Sequence, residues 1–180
     1  MKNTIVFWAT VLLAVASGAS QTKSSAIGQD LDGWITRTEK QLVLAAEEMP
    51  EEKYSFAPTA GEFRGVRNFA RQVKHVAAAN FLFAAGILGE EPPADAADER
   101  GPESARTKAD IVKYLKDSFA SLHRAAAVIS TENAVERIKS PFGERTRLSL
   151  TVGAIAHCYD HYGQIVEYLR MNGLIPPSSP

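Results

Sequence analysis

Four stretches of this chain carry apolar residues at three- and four-residue spacing, and no stretch shows a strong strand alternation. Each is roughly 20–27 residues long, or ~30–40 Å as helix. A segment of this kind has one face to hide. With four of them and no sheet to cover, they hide those faces against one another. The first runs from about Asp30 to Met49, with Leu31, Trp34, Ile35, Leu42, Ala45 and Ala46 on one side, and Met49-Pro50 ends it. In the second, Thr59 and Glu62 fit a capping box, and Val66, Phe69, Val73, Val76, Phe83, Ala84 and Ile87 form a stripe as far as Leu88. The third spans about 108–130, is capped by Thr107 and Asp110, and carries Ile111, Tyr114, Leu115, Phe119, Leu122 and Ala126. The fourth spans Thr146 to Asn172, with Gly173 placed to close it and Pro176-Pro177 to prevent its continuation. Between them lie loops at 50–61 and 89–106 and a Ser140-Pro141-Phe142-Gly143 turn. The expectation is an all-α, up-and-down four-helix bundle over 30–175, with a short tail at 176–180.

The start of the chain does not fit that bundle. Residues 1–19 read as a signal peptide: Lys2, an apolar run from Ile5 to Ala16, then small residues Ser17-Gly18-Ala19. Residues 20–29 follow as a linker. The apolar run is shorter than the ~20 residues that span a bilayer, and the cleavage region has no Cys for a lipid. The expectation is an exported protein, periplasmic or secreted, without a stable membrane anchor. Its one cysteine, Cys158, cannot form an internal disulfide, so packing or metal must hold the fold. The formal net charge of −1 argues against nucleic acid as a partner, and 45% hydrophobic content argues against disorder.

The scarce histidines carry the chemistry. His157 and His161 lie one helical turn apart, at about 40° on one face. Two imidazoles so placed can converge on one ion at ~2.0–2.1 Å. Gln164 and Tyr168 continue this face, while Leu148, Ile155, Tyr162, Ile165, Val166 and Leu169 read as the apolar stripe, which puts the pair at the edge of the core. His75 on the second segment is the candidate third ligand, reachable because distant helices meet in a bundle. The bland alternative is a set of solvated or hydrogen-bonded histidines. His123 has no partner at ligand spacing and reads as structural or exposed; Cys158 turns toward the core and reads as a small buried residue.

Three segments together resemble the DinB-like family, also described as DinB/YfiT-like metalloenzymes. They are Glu51 to Glu62, Gln72 to Asn80, and the His-x3-His-x2-Gln run from His157 to Gln164 with its Tyr-Leu-Arg-Met-Asn-Gly ending. The resemblance implies a four-helix bundle holding a divalent metal ion (Zn, Ni or Fe) through His75, His157 and His161. One departure is Ala78, where relatives often carry Asp.

The resemblance also implies a metal-dependent enzyme, of hydrolase or thiol S-transferase type, acting on a small molecule that includes a thiol in the second case. No catalytic residue is assigned. Gln164 is the candidate to hydrogen-bond a metal-bound species, Tyr54 and Tyr168 are candidates around the site, and Asp160 and Glu167 are candidate bases. Two other readings stand beside it: a non-catalytic metal-binding or ligand-binding bundle, and a module that forms a homodimer through an apolar helix face.

Overall fold

The computed structural model describes residues 25–177. Among them are four α-helices: α1 (Ala26–Glu48), α2 (Phe69–Leu88), α3 (Lys108–Ala127) and α4 (Arg147–Met171). They form a bundle around Ile35, Leu42, Phe69, Leu115, Phe119, Leu122, Ile165 and Leu169, all buried. The expected signal peptide lies outside the described residues. No described helix is long and apolar enough to cross a membrane.

Helix boundaries follow the local chemistry. α1 starts within the stretch expected to be a linker, because Ser25 caps it: its hydroxyl accepts from Gly28 N at 3.0 Å and donates to Ile129 O at 2.6 Å. α3 has the expected capping box of Thr107 and Asp110. At the end of α4, Gly173 is left-handed (φ 75°) and Leu174 N donates to Leu169 O, which closes the last turn.

The second helix differs from expectation. Thr59 and Glu62 do not cap it. Gly61 (φ 104°) and Gly65 (φ 76°) take backbone conformations that no helix contains. The chain stays irregular until Asn68, whose side chain accepts from Arg71 N at 2.9 Å and starts α2.

The helices do not all neighbour their sequence partners. α1 packs on α3 and α4, α4 packs on α1 and α2, and α2 packs on α3. Lys108 at the start of α3 reaches Met49 O beyond the end of α1, so these two helices run antiparallel. Gln72 meets Gln164 and His75 meets His157, so α2 and α4 are antiparallel too. Asn80 bonds Ser118 and Glu90 bonds Arg124, so α2 and α3 run the same way. Residues 89–107 must therefore travel back along the bundle before α3 begins. They do so in contact with α2: Lys74 Nζ donates to Pro102 O at 2.9 Å.

A small antiparallel hairpin, β1 (Arg137–Ser140) and β2 (Gly143–Thr146), precedes α4. The sequence gives only a turn here, since four-residue strands show too little alternation to be read. The hairpin packs on α2, where the Phe142 ring stacks on Phe83 with centroids 4.3 Å apart. Gly86 permits this approach, because a β-carbon there would lie 2.9 Å from Ser140 Cβ.

His123 is a tie between α1 and α3 rather than a free surface group. Its Nδ1 lies 2.5 Å from Asp32 Oδ1 and its Nε2 lies 3.1 Å from Glu39 Oε2. Burial opposes its charge, but the two carboxylates outweigh burial and raise its pKa above 6.5.

Gly86→Ala lowers stability in urea despite a helix-propensity gain of ~1 kcal/mol, because it pushes the hairpin away. Gly33→Ala, in α1 with nothing within 4 Å of its added methyl, raises stability. Equal effects of the two changes contradict the packing. The raised pKa of His123 stabilises fully below 6.5, and that stabilisation is lost as pH rises through the native value. Urea melts at pH values from ~6 to ~9 therefore show a decline in the wild type that is smaller in His123→Gln, the difference being ~1 kcal/mol or less for a half-exposed pair.

Candidate metal centre

α2 and α4 meet along an antiparallel seam, and the seam carries three imidazoles. One ligand nitrogen from each of His75, His157 and His161 lies within 4.8 Å of the other two. The Nε2 atoms of His75 and His157 are 3.2 Å apart. Two nitrogens bound to one tetrahedral ion at ~2.0–2.1 Å lie roughly 3.3 Å apart, so this spacing suits a shared ion. His75 and His161 are buried and His157 is half-buried.

Each ring has a distinct environment. His75 Nδ1 lies 3.1 Å from Glu99 O, and a carbonyl only accepts, so the proton sits on Nδ1 and Nε2 turns its lone pair to the cluster. The Glu99 carboxylate stands 3.5 Å from the same nitrogen. His161 Nδ1 lies 2.8 Å from the Gln72 amide nitrogen, which also donates to Gln164 Oε1 at 2.5 Å. With its nitrogen so placed, His161 Nδ1 is the acceptor; a protonated Nδ1 would be met by the amide oxygen after half-turns of both Gln72 and Gln164, whose amide would then donate to it. Gln164 in turn donates to Asp160 at 2.9 Å, so a hydrogen-bonded chain runs from His161 to the surface. His157 Nδ1 is buried with no hydrogen-bond partner among the described residues.

The rings are held neutral. Burial, then the neighbouring His161 and His75, push His157 down to about 3. Burial, then His75 and Arg67, push His161 to about 4. Burial and Arg67 lower His75 as well. Neutral imidazoles with converging lone pairs are the state that a divalent metal ion requires.

The DinB superfamily model matches residues 35–165, a span that includes all three histidines and most of the four helices. The chain belongs to the DinB superfamily. The fold is similar to a DinB-like protein from Bacillus cereus ATCC 10987 (17% identity, TM-score 0.67, covering 83% of this chain and 95% of that one). It is also similar to a conserved protein from Enterococcus faecalis (16% identity, TM-score 0.63, covering 81% and 96%). Among curated proteins, no sequence matches.

In this DinB bundle the histidines are deeper than the sequence suggests. The buried face of α4 runs through Leu150, Ala154, Cys158, His161, Ile165 and Leu169, whereas Leu148, Ile155 and Tyr162 are only half-buried. His161 thus lies on the core-facing stripe itself. Cys158 is buried as expected and donates to Asn80 Oδ1 at 3.3 Å; burial pushes its thiol up to about 12.

The other candidates divide. Tyr168 donates to Arg67 O at 2.8 Å and braces the chain before α2. Tyr54 does not reach the site, because its hydroxyl donates to Ala46 O at 2.7 Å. Asp160 touches the site only through Gln164, and Glu167 pairs with Arg170 at 2.8 Å.

Two contributors escaped the sequence reading. Gln72 is one turn before His75, and its helical spacing could have flagged it. Glu99 lies in a loop far along the chain and gives no such signal. It is the one non-glycine residue with positive φ (58°) among the described residues, and its carbonyl orients His75. Gln72→Leu keeps the fold but removes the partner of His161 Nδ1. Competition titration with a chelator then shows metal affinity lower by about 10–100-fold; unchanged affinity contradicts a role for Gln72 in orienting the ring.

Proposed function

We propose that this DinB protein is an exported, metal-dependent enzyme of hydrolase or thiol S-transferase type acting on a small molecule. The observation that carries the reading is the convergence of three neutral imidazole nitrogens at one seam. His75, His157 and His161 would hold a divalent ion, with Zn, Ni and Fe all compatible with imidazole ligands. When bound there, such an ion supplies an activated water or thiolate at neutral pH.

The chain's own residues set the stage. Glu99 fixes the His75 tautomer through its carbonyl. Gln72 answers the proton state of His161 and links it to Gln164. Gln164, exposed at its far side, can orient a group that enters from solvent, which is the role its position suggests. Phe83 stands beside His157, with ring centroids 6.1 Å apart, and keeps one side of the cluster apolar. The partners on this reading are a small-molecule substrate, a thiol in the transferase case, and neither nucleic acid nor a membrane anchor. Export into the periplasm or the medium rests on the first nineteen residues alone.

One observation favours a second reading, a non-catalytic metal-binding bundle. Ala78 is buried and carries no carboxylate, and Glu167 is engaged at the surface. The carboxylates left near the cluster are Asp160, through its glutamine link, and Glu99, which already faces His75 Nδ1.

Metal analysis of protein prepared without a histidine tag is the test. The wild type binds one divalent ion per chain, His157→Ala binds none, and His123→Ala binds as the wild type. Undiminished metal in His157→Ala overturns the site. Assays of the loaded protein with thiols and electrophiles then separate enzyme from passive binder, since turnover above the His157→Ala background is expected only of the enzyme.

A further inference from the structure

A cavity of about 410 Å³ lies next to the histidine cluster, separated from it by the side chains that hold the rings; no histidine lines it. Its wall includes Gln72, Gln164 and Glu99, the residues that bond His161 and His75 or link to them. Its charged lining is Arg67, Arg71 and Arg100 against Asp98 and Glu99, an excess of one positive charge. That volume suits a small metabolite.

The cations are not equivalent. Arg100 is paired with Asp98 at 3.5 Å, and Arg64, Arg124, Arg137, Arg147 and Arg170 also have carboxylate partners. Arg67 and Arg71 have none within ion-pair distance among the described residues. Both are fixed at their backbones. Tyr168 holds the Arg67 carbonyl, and the Asn68 cap holds the Arg71 amide. Arg67 shares the cavity wall with Gln72 and Glu99, the residues that bond His161 and His75.

The start of α2 contributes little by itself. The amides of Phe69 and Ala70 already donate to Phe56 O and Tyr54 O, and that of Arg71 donates to Asn68. An anion here has the two guanidiniums as its donors. Such forks match the paired oxygens of a carboxylate or a phosphate.

We propose that this cavity is the substrate cleft of the metal centre and takes a small molecule bearing a carboxylate or phosphate group, gripped by Arg67 and Arg71. The proposal rests on the enzyme reading above for the word substrate, and on the cavity alone for the anion.

Calorimetric titrations of inorganic phosphate and of succinate into the full chain test it, with metal content measured on the same samples. At least one anion saturates a single site, and the arm that saturates more tightly identifies the oxyanion. Arg67→Gln/Arg71→Gln weakens that binding by about tenfold or more, while Arg124→Gln, remote from the cavity, leaves it within about twofold. Should the double variant fail to fold, Arg71→Lys keeps the charge, removes the fork and weakens binding by about threefold or more. Absence of saturation, binding by the folded arginine variants equal to the wild type, or an equal loss in Arg124→Gln overturns the proposal. The two readings fail separately. Arginine-dependent binding in a wild type that takes up no metal overturns the enzyme reading and keeps the anion site. Stoichiometric metal without anion binding does the reverse.

Discussion

Helix α2 is covered on nearly every side, by α3, α4, the hairpin and the returning connection, and much of the rest of the molecule follows from that. A helix in such a position cannot send its polar side chains to water. Gln72, His75 and Asn80 are all buried, so each must find a partner within the protein. Asn80 finds Ser118 and Cys158, on α3 and α4. Gln72 and His75 find α4 and Glu99. The histidine cluster lies in this network of enforced pairings, and within the cluster His157 Nδ1 is left without a partner among the described residues.

The parallel run of α2 and α3 has its own cost and its own use. Antiparallel neighbours are joined by short links, typically 2–8 residues in bundles, but parallel neighbours need a chain that goes back the full length. Residues 89–107 provide it. Their path takes them across the mouth of the α2–α4 seam, where Asp98, Glu99 and Arg100 line the cavity. Topology thus delivers to the site residues that helical periodicity has no means of placing there. The strained backbone of Glu99 is a local consequence of aiming a carbonyl at His75 from a passing loop.

This explains what could and could not be read from the residues in order. Helix count and type were legible, because a long apolar stripe is a strong signal. The Thr107 cap and the Gly173 stop were legible as local chemistry. The start of α2 was misjudged because Thr59 and Glu62 satisfy a spacing rule while Gly61 and Gly65, between and beyond them, forbid the helix. His157 and His161 were legible as a pair one turn apart; their depth was not, because Ala154 and Cys158, small residues that score weakly as apolar, define the buried stripe of α4. The hairpin was too short to register. Neither Glu99 nor the charged wall of the cavity could be inferred, since both depend on which way a long loop runs.

Cys158 completes the account in a different sense. Its sulfur is buried and bonded to Asn80, and its thiol stays protonated at any physiological pH. No disulfide can form within the chain, and no reactive thiolate is offered to the outside. Its cysteine chemistry is therefore silent: Cys158 packs in the same way in a reducing compartment or an oxidising one. A change of compartment would ask nothing of this thiol.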